Sequence, residues 1–221
     1  MKKVETKKIA VSAMLTAVAF LVTFLTAMFK VGGFLSLDLK DAVLSIIALL
    51  YGPAYGFCSV LVVSLVEFFT ISSTGLYGLV MNILSSGVFA LTVGTIYKYK
   101  RSFSGAIISA VCTVFTVTSV MLLANIFITP LYFQMPRQAV IAMLPTLLLP
   151  FNLCKSVLNA SIMLLVYKPF TTALKKAGLV ATKDNVKYKL NVKTVVLTVV
   201  SVVLIIAALT VMFVLGIDIA K

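Results

Sequence analysis

Long apolar runs alternate along this chain with short breaks that carry glycine, proline or charged residues. A helix that crosses a lipid bilayer needs about 20 mostly apolar residues, and most of the runs reach that length. The pattern therefore predicts seven helices, of which the second is unusually short. The predicted helices cover residues 9–29, 42–51, 54–71, 79–97, 105–128, 139–167 and 194–215.

The breaks predict the loops and the irregular points of the helices. Gly52 and Pro53 form a turn signal between the second and third helices. Pro145 and Pro150 interrupt the sixth helix, because proline lacks the backbone donor that a helix interior requires. The other breaks are loops at 30–41 (KVGGFLSLDLKD), 72–78 (SSTGLYG) and 129–138 (TPLYFQMPRQ), and a polar, lysine-rich linker at 168–193.

The composition supports an all-α polytopic membrane protein. Hydrophobic residues make up 62% of the chain and charged residues 11%, whereas soluble domains are about 45–50% apolar and about 25% charged. The mean hydropathy is +1.16. The first run is about 21 residues long, beyond the 7–15 apolar residues of a signal peptide, so we expect it to be retained as a helix.

The basic residues lie between the apolar runs and predict the orientation of the chain. Fourteen of the 19 lysines and arginines fall in three clusters that would share one side of the membrane. Because basic loops accumulate on the cytoplasmic side, we predict a cytoplasmic N-terminus. Charge dispersed in this way does not form the basic face of a nucleic-acid-binding domain, so no nucleic-acid partner is expected. The clusters are Lys2, Lys3, Lys7 and Lys8; Lys98, Lys100 and Arg101; and Lys168, Lys175, Lys176, Lys183, Lys187, Lys189 and Lys193.

The chain lacks the residues that most catalytic and metal sites need. It contains no histidine, which removes histidine-dependent triads and histidine metal sites, and it has no phosphate-binding G-x-x-x-x-G-K-[ST] motif. Cys58, Cys112 and Cys154 lie within apolar runs and are expected to pack as small hydrophobic residues. We therefore expect neither an enzyme nor a metal site, and no cofactor.

Polar side chains inside the apolar runs are the candidate functional residues, because at membrane depth each must be paired or face a cavity. Glu67 lies near the predicted outer end of the third helix and Asn125 near that of the fifth. The sixth helix carries four more at spacings of 3, 1 and 3, which place them on one face. These four are Asn152, Lys155, Ser156 and Asn159.

Lys155 has two interpretations that the sequence leaves open. It pairs with Glu67 and holds helices together, or it forms one wall of a ligand pocket, and the two roles are compatible. Pro150 favours a pocket, because it leaves the carbonyl near Thr146 without its helical donor, and such backbone is tolerated where it lines a cavity.

The outer loops are aromatic and almost uncharged. Tyr77, Tyr132 and Phe133 are placed to stack on a planar ligand, although aromatic residues also collect at the lipid headgroups. In the first helix Ala13 and Ala17 form a small-xxx-small pair that allows another helix to approach closely.

The chain resembles the substrate-binding S-components of energy-coupling factor (ECF) transporters, and most closely the riboflavin-specific ones, over residues 5 to about 175. Several segments in their order carry this resemblance. They are AMLTA (13–17), LDLKDAVLSIIALLYGPAYG (37–56), STGLYGLVMNILS (73–85), NIFITPLYF (125–133) and LLPFNLCK (148–155).

The resemblance implies a six-helix bundle in the bacterial cytoplasmic membrane that binds one vitamin from the outer side. It implies that riboflavin is held as the transported ligand by Asn125, Asn152 and Lys155. The loop Gly75, Leu76, Tyr77 and Gly78 would cover the ring, and we add Glu67 and Tyr132 as ligand-binding candidates.

The resemblance also implies partners. A T-component would contact Ala13 and Ala17 of the alanine motif, and two ABC-type ATPases and the membrane lipid complete the set. The expected organisation is an S-component membrane domain at 1–178, a basic cytoplasmic linker at 179–193, and an extra C-terminal transmembrane helix at 194–221.

The chemistry of the candidate residues agrees with riboflavin. Its ring is planar and uncharged near neutral pH, and its pyrimidine-like edge matches the donor and acceptor of an amide side chain. Flavin mononucleotide would favour a cationic cluster at the mouth, but the predicted outer segments carry only the scattered Lys30, Lys40 and Arg137 besides the terminal Lys221. The remaining alternatives are another vitamin or another small solute.

Overall fold

The protein is a bundle of helices in the computed structural model, which describes residues 2–26, 28–176 and 192–219. Helices α1 to α5 and α8 are regular, and α6, a π-helical segment and α7 follow one another without a break. The helices are α1 (Lys2–Thr26), α2 (Lys40–Tyr51), α3 (Pro53–Thr70), α4 (Gly75–Tyr99), α5 (Phe103–Phe133), α6 (Arg137–Met143), the π-helical segment (Leu144–Leu148), α7 (Leu149–Lys176) and α8 (Val192–Val214).

Six helical stretches of the described chain are long and apolar enough to cross a membrane, and α8 is one of them. The stretch Arg137–Ala173, which combines α6, the π-helical segment and most of α7, counts as one. Helix α2 has only 12 residues, about 18 Å at 1.5 Å per residue, and is therefore too short to span on its own. The predicted bundle of six helices plus a C-terminal helix is confirmed.

Helix α2 lies at the centre of the bundle, where it packs against α1, α3, α4 and α7. Its residues Leu44 and Ile47 are fully buried, and they belong to a core cluster shared with α1 and α3. A helix that is apolar on most sides requires such a central position.

A small sheet at one end of the bundle replaces the loop predicted at 30–41. Strand β1 (Phe29–Val31) pairs antiparallel with β2 (Leu35–Ser36). Gly32 and Gly33 make the turn with φ of 60° and 78°, a conformation that glycine adopts without steric cost. We call residues 29–36 the hairpin, and the end of the bundle that carries it the hairpin end.

A third strand, β3 (Ile217–Ile219), follows α8 and pairs antiparallel with β1. The sheet order is β2-β1-β3, so β1 is the central strand. The opposite end of the bundle holds the turn before α3, where Gly94 of α4 lies against Pro53.

Several predicted boundaries were wrong, although the helices themselves were right. The predicted loop at 129–138 is largely helical, because α5 continues through Pro130 and stops at Gln134, whose φ of 53° closes the helix in the left-handed conformation. Helix α4 begins at Gly75, inside the predicted 72–78 loop. Helix α7 continues to Lys176, past the predicted start of the linker.

The interruption predicted at Pro145 and Pro150 is a change of helix type instead of a break. The N–H of Leu149 donates to the carbonyl of Leu144, five residues earlier, which is the π-helical bond. Such bulges accommodate a missing donor while the helix continues. Most of the predicted linker at 179–193 lies outside the described residues, which resume at 192.

Candidate ligand-binding site

A pocket opens at the hairpin end between α4, α5, α7 and the hairpin. Its cavity volume is about 120 Å³. Candidates that the sequence predicted from three separate segments meet here, namely Asn125, Asn152, Lys155, Tyr77, Gly78 and Tyr132. The other lining residues are Phe34, Leu35, Ser36, Asp38, Thr74, Met81, Asn82, Ser85, Met121, Ile128, Thr129, Phe133 and Phe151.

Two buried amides form part of the polar lining. Asn125 donates to the carbonyl of Met121 at 2.7 Å, and its Oδ1 accepts a bond from Thr129 at 2.8 Å. Asn152 donates to the carbonyl of Leu148 at 2.8 Å, at the end of the π-helical segment. Each amide donates to the carbonyl four residues earlier, so the local helical backbone positions both side chains in the pocket.

Lys155 pairs with Asp38, so the pairing with Glu67, one of the two interpretations that the sequence left open, is not found. The Nζ of Lys155 lies 2.9 Å from Asp38 Oδ2. The ammonium group of Lys40 lies 3.7 Å from the same oxygen, and two cations so close favour the ionised form of the Asp38 side chain. The loop residue Asp38 is therefore a carboxylate, and its other oxygen, Oδ1, has no hydrogen-bond partner within the described residues.

Glu67 is occupied by a different cation. Lys40 contacts both of its carboxylate oxygens, at 2.8 and 2.7 Å, and Asn82 donates to it at 3.0 Å. Lys40 is only 1% exposed and Glu67 only 2%. Glu67 is not among the lining residues of the pocket, because this pair lies behind the lining that Asn82 provides. Its assignment as a ligand contact thus remains a prediction.

Asn159 connects α7 to the segment before α2. Its Nδ2 donates to the carbonyl of Asp38 at 3.1 Å, and its Oδ1 accepts the N–H of Ala42 at 2.9 Å. The side chain is fully buried. A buried amide with these partners fixes the backbone of residues 38–42, which in turn positions Asp38 beside Lys155.

Sequence reasoning missed Asp38 and Lys40. Both lie in KVGGFLSLDLKD, which the sequence predicts to be a loop. Charged residues are common in loops, so they were not selected as candidates for the site. One signal was available, since SLDLKD places two carboxylates and a lysine directly before a strongly apolar helix. Charged residues so close to an apolar helix are expensive unless they are paired.

Aromatic rings form the rim of the pocket. Tyr77 meets Tyr132 edge to face with ring centroids 6.0 Å apart, and Tyr132 meets Phe133 at 4.7 Å. Phe133 in turn meets Phe34 of the hairpin at 4.8 Å. This chain of rings joins α4, α5 and the hairpin around an apolar opening, a favourable wall for a planar ligand.

Of the four residues 75–78 that were predicted to cover the ligand, two line the pocket. Tyr77 and Gly78 line the pocket, whereas Gly75 and Leu76 do not, and Leu76 is 67% exposed. Gly75 has φ of 58°, a conformation suited to glycine, at the first position of α4. A side chain at position 78 would collide with Thr74, so Gly78 keeps the start of α4 compact.

The pocket is smaller than its proposed use requires. Pockets for ligands of drug size enclose about 300–1,000 Å³, and this cavity encloses about 120 Å³. A hydrogen bond between Lys30 Nζ and Ser73 Oγ, 3.0 Å long, joins the hairpin to the segment before α4. A ligand of that size therefore requires the pocket to widen, and separation of the hairpin from this segment would break this bond.

A second cavity of about 620 Å³ lies between α1 and α3. Both Ala13 and Ala17 line it, together with apolar residues that include Phe20, Val62 and Val66. The two alanines are exposed. We call this surface the alanine groove; its small residues leave room for a helix of another protein. The described residues contain no cluster of three acidic or cysteine side chains that could hold a metal ion.

Residues 7–167 match the family model described as the substrate-specific component of ECF transporters. The riboflavin transporter RibU of Staphylococcus aureus (strain TCH60) is 28% identical over 179 residues, which cover 78% of this chain and 94% of that protein. A solved structure of the S component of a bacterial ECF transporter matches with a TM-score of 0.65 and 27% identity. That match covers 77% of this chain and 99% of the other.

Proposed function

Because the chain belongs to the family of substrate-specific components of ECF transporters, we propose that it is the riboflavin-binding subunit of a vitamin importer. It is a multi-pass membrane protein, and its family consists of transporter components, which are not enzymes. In the proposal riboflavin is the transported ligand, and no cofactor takes part.

One observation carries the choice of ligand: two amides and a lysine from α5 and α7 meet in a pocket whose rim is aromatic. An amide can both donate to and accept from the pyrimidine-like edge of the flavin ring. Asp38 Oδ1, which lacks a partner within the described residues, offers an acceptor for a ring N–H. The riboflavin transporter among the relatives supports the same choice.

The rim also favours the vitamin over its phosphate. The aromatic residues at the opening are Tyr77, Tyr132, Phe133 and Phe34. Lys155 is already paired with Asp38, which leaves Lys30 of the hairpin, bonded to Ser73, as a single cation near the opening and not a cluster. A phosphate would need positive charge at the mouth. An uncharged ribityl chain has no such requirement.

We propose that the T-component binds in the alanine groove. Two ABC-type ATPases would drive transport by acting on the T-component. The groove lies between α1 and α3, on a different surface from the pocket, so both can be occupied together. The proposed orientation places the hairpin end outside and the N-terminus in the cytoplasm, in accordance with the excess of basic residues on inner segments.

Fluorescence titration of the purified protein tests the ligand. Riboflavin fluorescence should be quenched with a dissociation constant at or below about 1 μM, which corresponds to about −8 kcal/mol. Flavin mononucleotide should compete more weakly than riboflavin. Protein that leaves riboflavin fluorescence unchanged would exclude this ligand, and a screen of other vitamins would then test the alternative that the pocket takes another small solute.

A further inference from the structure

The segment from α8 to β3 lies beyond the part of the chain that the family model matches, which ends at residue 167. A match over 77% of this chain covers almost all of the solved S component, so nearly a quarter of the chain lies outside that match. The extra segment nevertheless contacts the candidate pocket in two ways.

The first contact is between backbones. Strand β3 pairs with β1 at three positions, Val31 with Ile217, Lys30 with Asp218, and Phe29 with Ile219. Without β3, strand β1 would be an edge strand with unpaired N–H and C=O groups. Strand β3 thus supplies hydrogen-bond partners for the side of β1 that faces away from β2. Strand β2 lines the pocket through Leu35 and Ser36.

The second contact is a shared apolar cluster. Ala208 and Met212 of α8 are buried in one cluster with Val31 of the hairpin and Phe151 of α7. Phe151 also lines the pocket. Met212 is fully buried, so helix α8 packs directly behind the pocket wall.

The hairpin lines the pocket through Phe34, Leu35 and Ser36, so we take it to be one of the parts that move when a ligand enters. Its side towards α4 is held by the Lys30–Ser73 hydrogen bond and its tip by Phe34 against Phe133. These are side-chain contacts that can break locally. The pairing with β3 joins the hairpin to a helix of 23 residues, and that attachment resists movement.

We propose that α8 and β3 act as a tether that holds the hairpin over the pocket and slows both entry and release of the ligand. The ligand part rests on the proposed function, whereas the restraint of the hairpin does not. Because restraint acts on the opening of the pocket and not on its polar contacts, the tether should change rate constants more than affinity.

A cross-strand disulfide tests the tether without removing any element. Lys30 and Asp218 are directly opposed in the sheet, at the Cα separation of about 4.5–5.5 Å that opposed residues have and that a disulfide accepts. In the variant Lys30→Cys/Asp218→Cys, oxidation should slow riboflavin association and release, and reduction should restore both. The variant Lys30→Cys alone controls for the lost bond to Ser73.

A proline variant weakens the same pairing. Ile217→Pro/Asp218→Pro removes two adjacent backbone donors, so at least one ladder bond is lost whichever parity the strand has. Riboflavin association and release should both become faster, on the order of tenfold, with little change in affinity, because the weakened restraint acts on the opening of the pocket. The matched variant Ile217→Val/Asp218→Asn keeps the backbone donors and should behave like the unmodified protein.

Hydrogen exchange separates the tether from the ligand. Without ligand, amides of residues 28–37 should exchange faster in the proline variant than in the matched variant. If the unmodified protein ignores riboflavin, the proposed function fails while this measurement still tests the restraint. Failure of the disulfide to form, equal kinetics of the oxidised and reduced protein, or unchanged exchange would each overturn the tether.

Discussion

Lys155 is the residue whose role the structure changes most. Its ammonium group is paired with Asp38, so a ligand that reaches Lys155 shares it with a carboxylate. Asp38 in turn lies 3.7 Å from Lys40, which belongs to the Glu67 pair. The charge of Lys155 is therefore balanced by Asp38 before any ligand binds. Lys155 also lines the pocket, where it can donate a hydrogen bond to a ligand.

We predict that Lys155 serves the ligand as well as Asp38. Lys155→Met should weaken riboflavin binding by about 1–3 kcal/mol, roughly 5- to 150-fold, because a buried ligand acceptor loses its partner. It should also lower the melting temperature by leaving Asp38 less well paired. The measurements are fluorescence titration and thermal unfolding of the same preparation.

The double variant Lys155→Met/Asp38→Asn separates the two roles. It removes the unpaired carboxylate, so the melting temperature should recover while the affinity does not. Cys154→Ala is a suitable control, since Cys154 precedes Lys155 on α7 but is buried away from the pocket. Full recovery of affinity in the double variant would show that Lys155 acts only as a partner of Asp38.

How far the site could be predicted differs from residue to residue. Asn125, Asn152 and Lys155 were found because a polar residue is conspicuous within an apolar run. The partner of Lys155 was not predicted. Lys155 and Asp38 are 117 residues apart in the sequence, and a local sequence pattern does not show which distant residues come into contact. Three carboxylates, those of Asp38, Asp41 and Glu67, were available as partners. Only the fold shows that Lys40 occupies Glu67.

At the scale of elements, the lengths of the apolar runs predicted which segments are helical. They did not predict the residues at which the helices begin and end. Helix α5 passes through Pro130, which lacks the N–H that would donate to the carbonyl of Ile126, and it ends within one turn, at Phe133. The hairpin has strands of three and two residues, too short for an alternating pattern to be recognised.

The alanine groove allows a prediction for α1 as an element. Ala13→Leu/Ala17→Leu should prevent co-purification with the T-component and the ATPases, because the larger side chains fill the space for a neighbouring helix. Riboflavin binding by the isolated protein should be unchanged, since the groove and the pocket share no lining residue.

Val18→Leu is the matched control for the groove. Val18 is 41% exposed on the same helix but does not line the groove, so the enlarged side chain should leave co-purification intact. An intact complex with the double alanine variant would place the T-component on another surface.

At the scale of the whole molecule, the sheet joins the segment that follows α1 to the segment that follows α8. Strand β1 follows α1 and strand β3 follows α8, so the chain beyond α8 returns to the hairpin end. Because the N-terminus of α1 lies at the other end, the number of crossings between residues 6 and 214 must be odd. Five long apolar helices, the short central α2 together with the segment before it, and α8 give such a count.

This topology predicts which residues a membrane-impermeant thiol reagent reaches in intact cells. In a background with Cys58, Cys112 and Cys154 replaced by alanine, Gln138→Cys and Lys221→Cys should be labelled from outside, because both follow elements of the hairpin end. Tyr99→Cys, at the end of α4, and Lys183→Cys, in the predicted cytoplasmic linker, should be labelled only after permeabilisation. Labelling of positions 183 and 221 from the same side would mean that α8 does not cross the membrane, and labelling of position 99 in intact cells would reverse the orientation that the basic clusters predict.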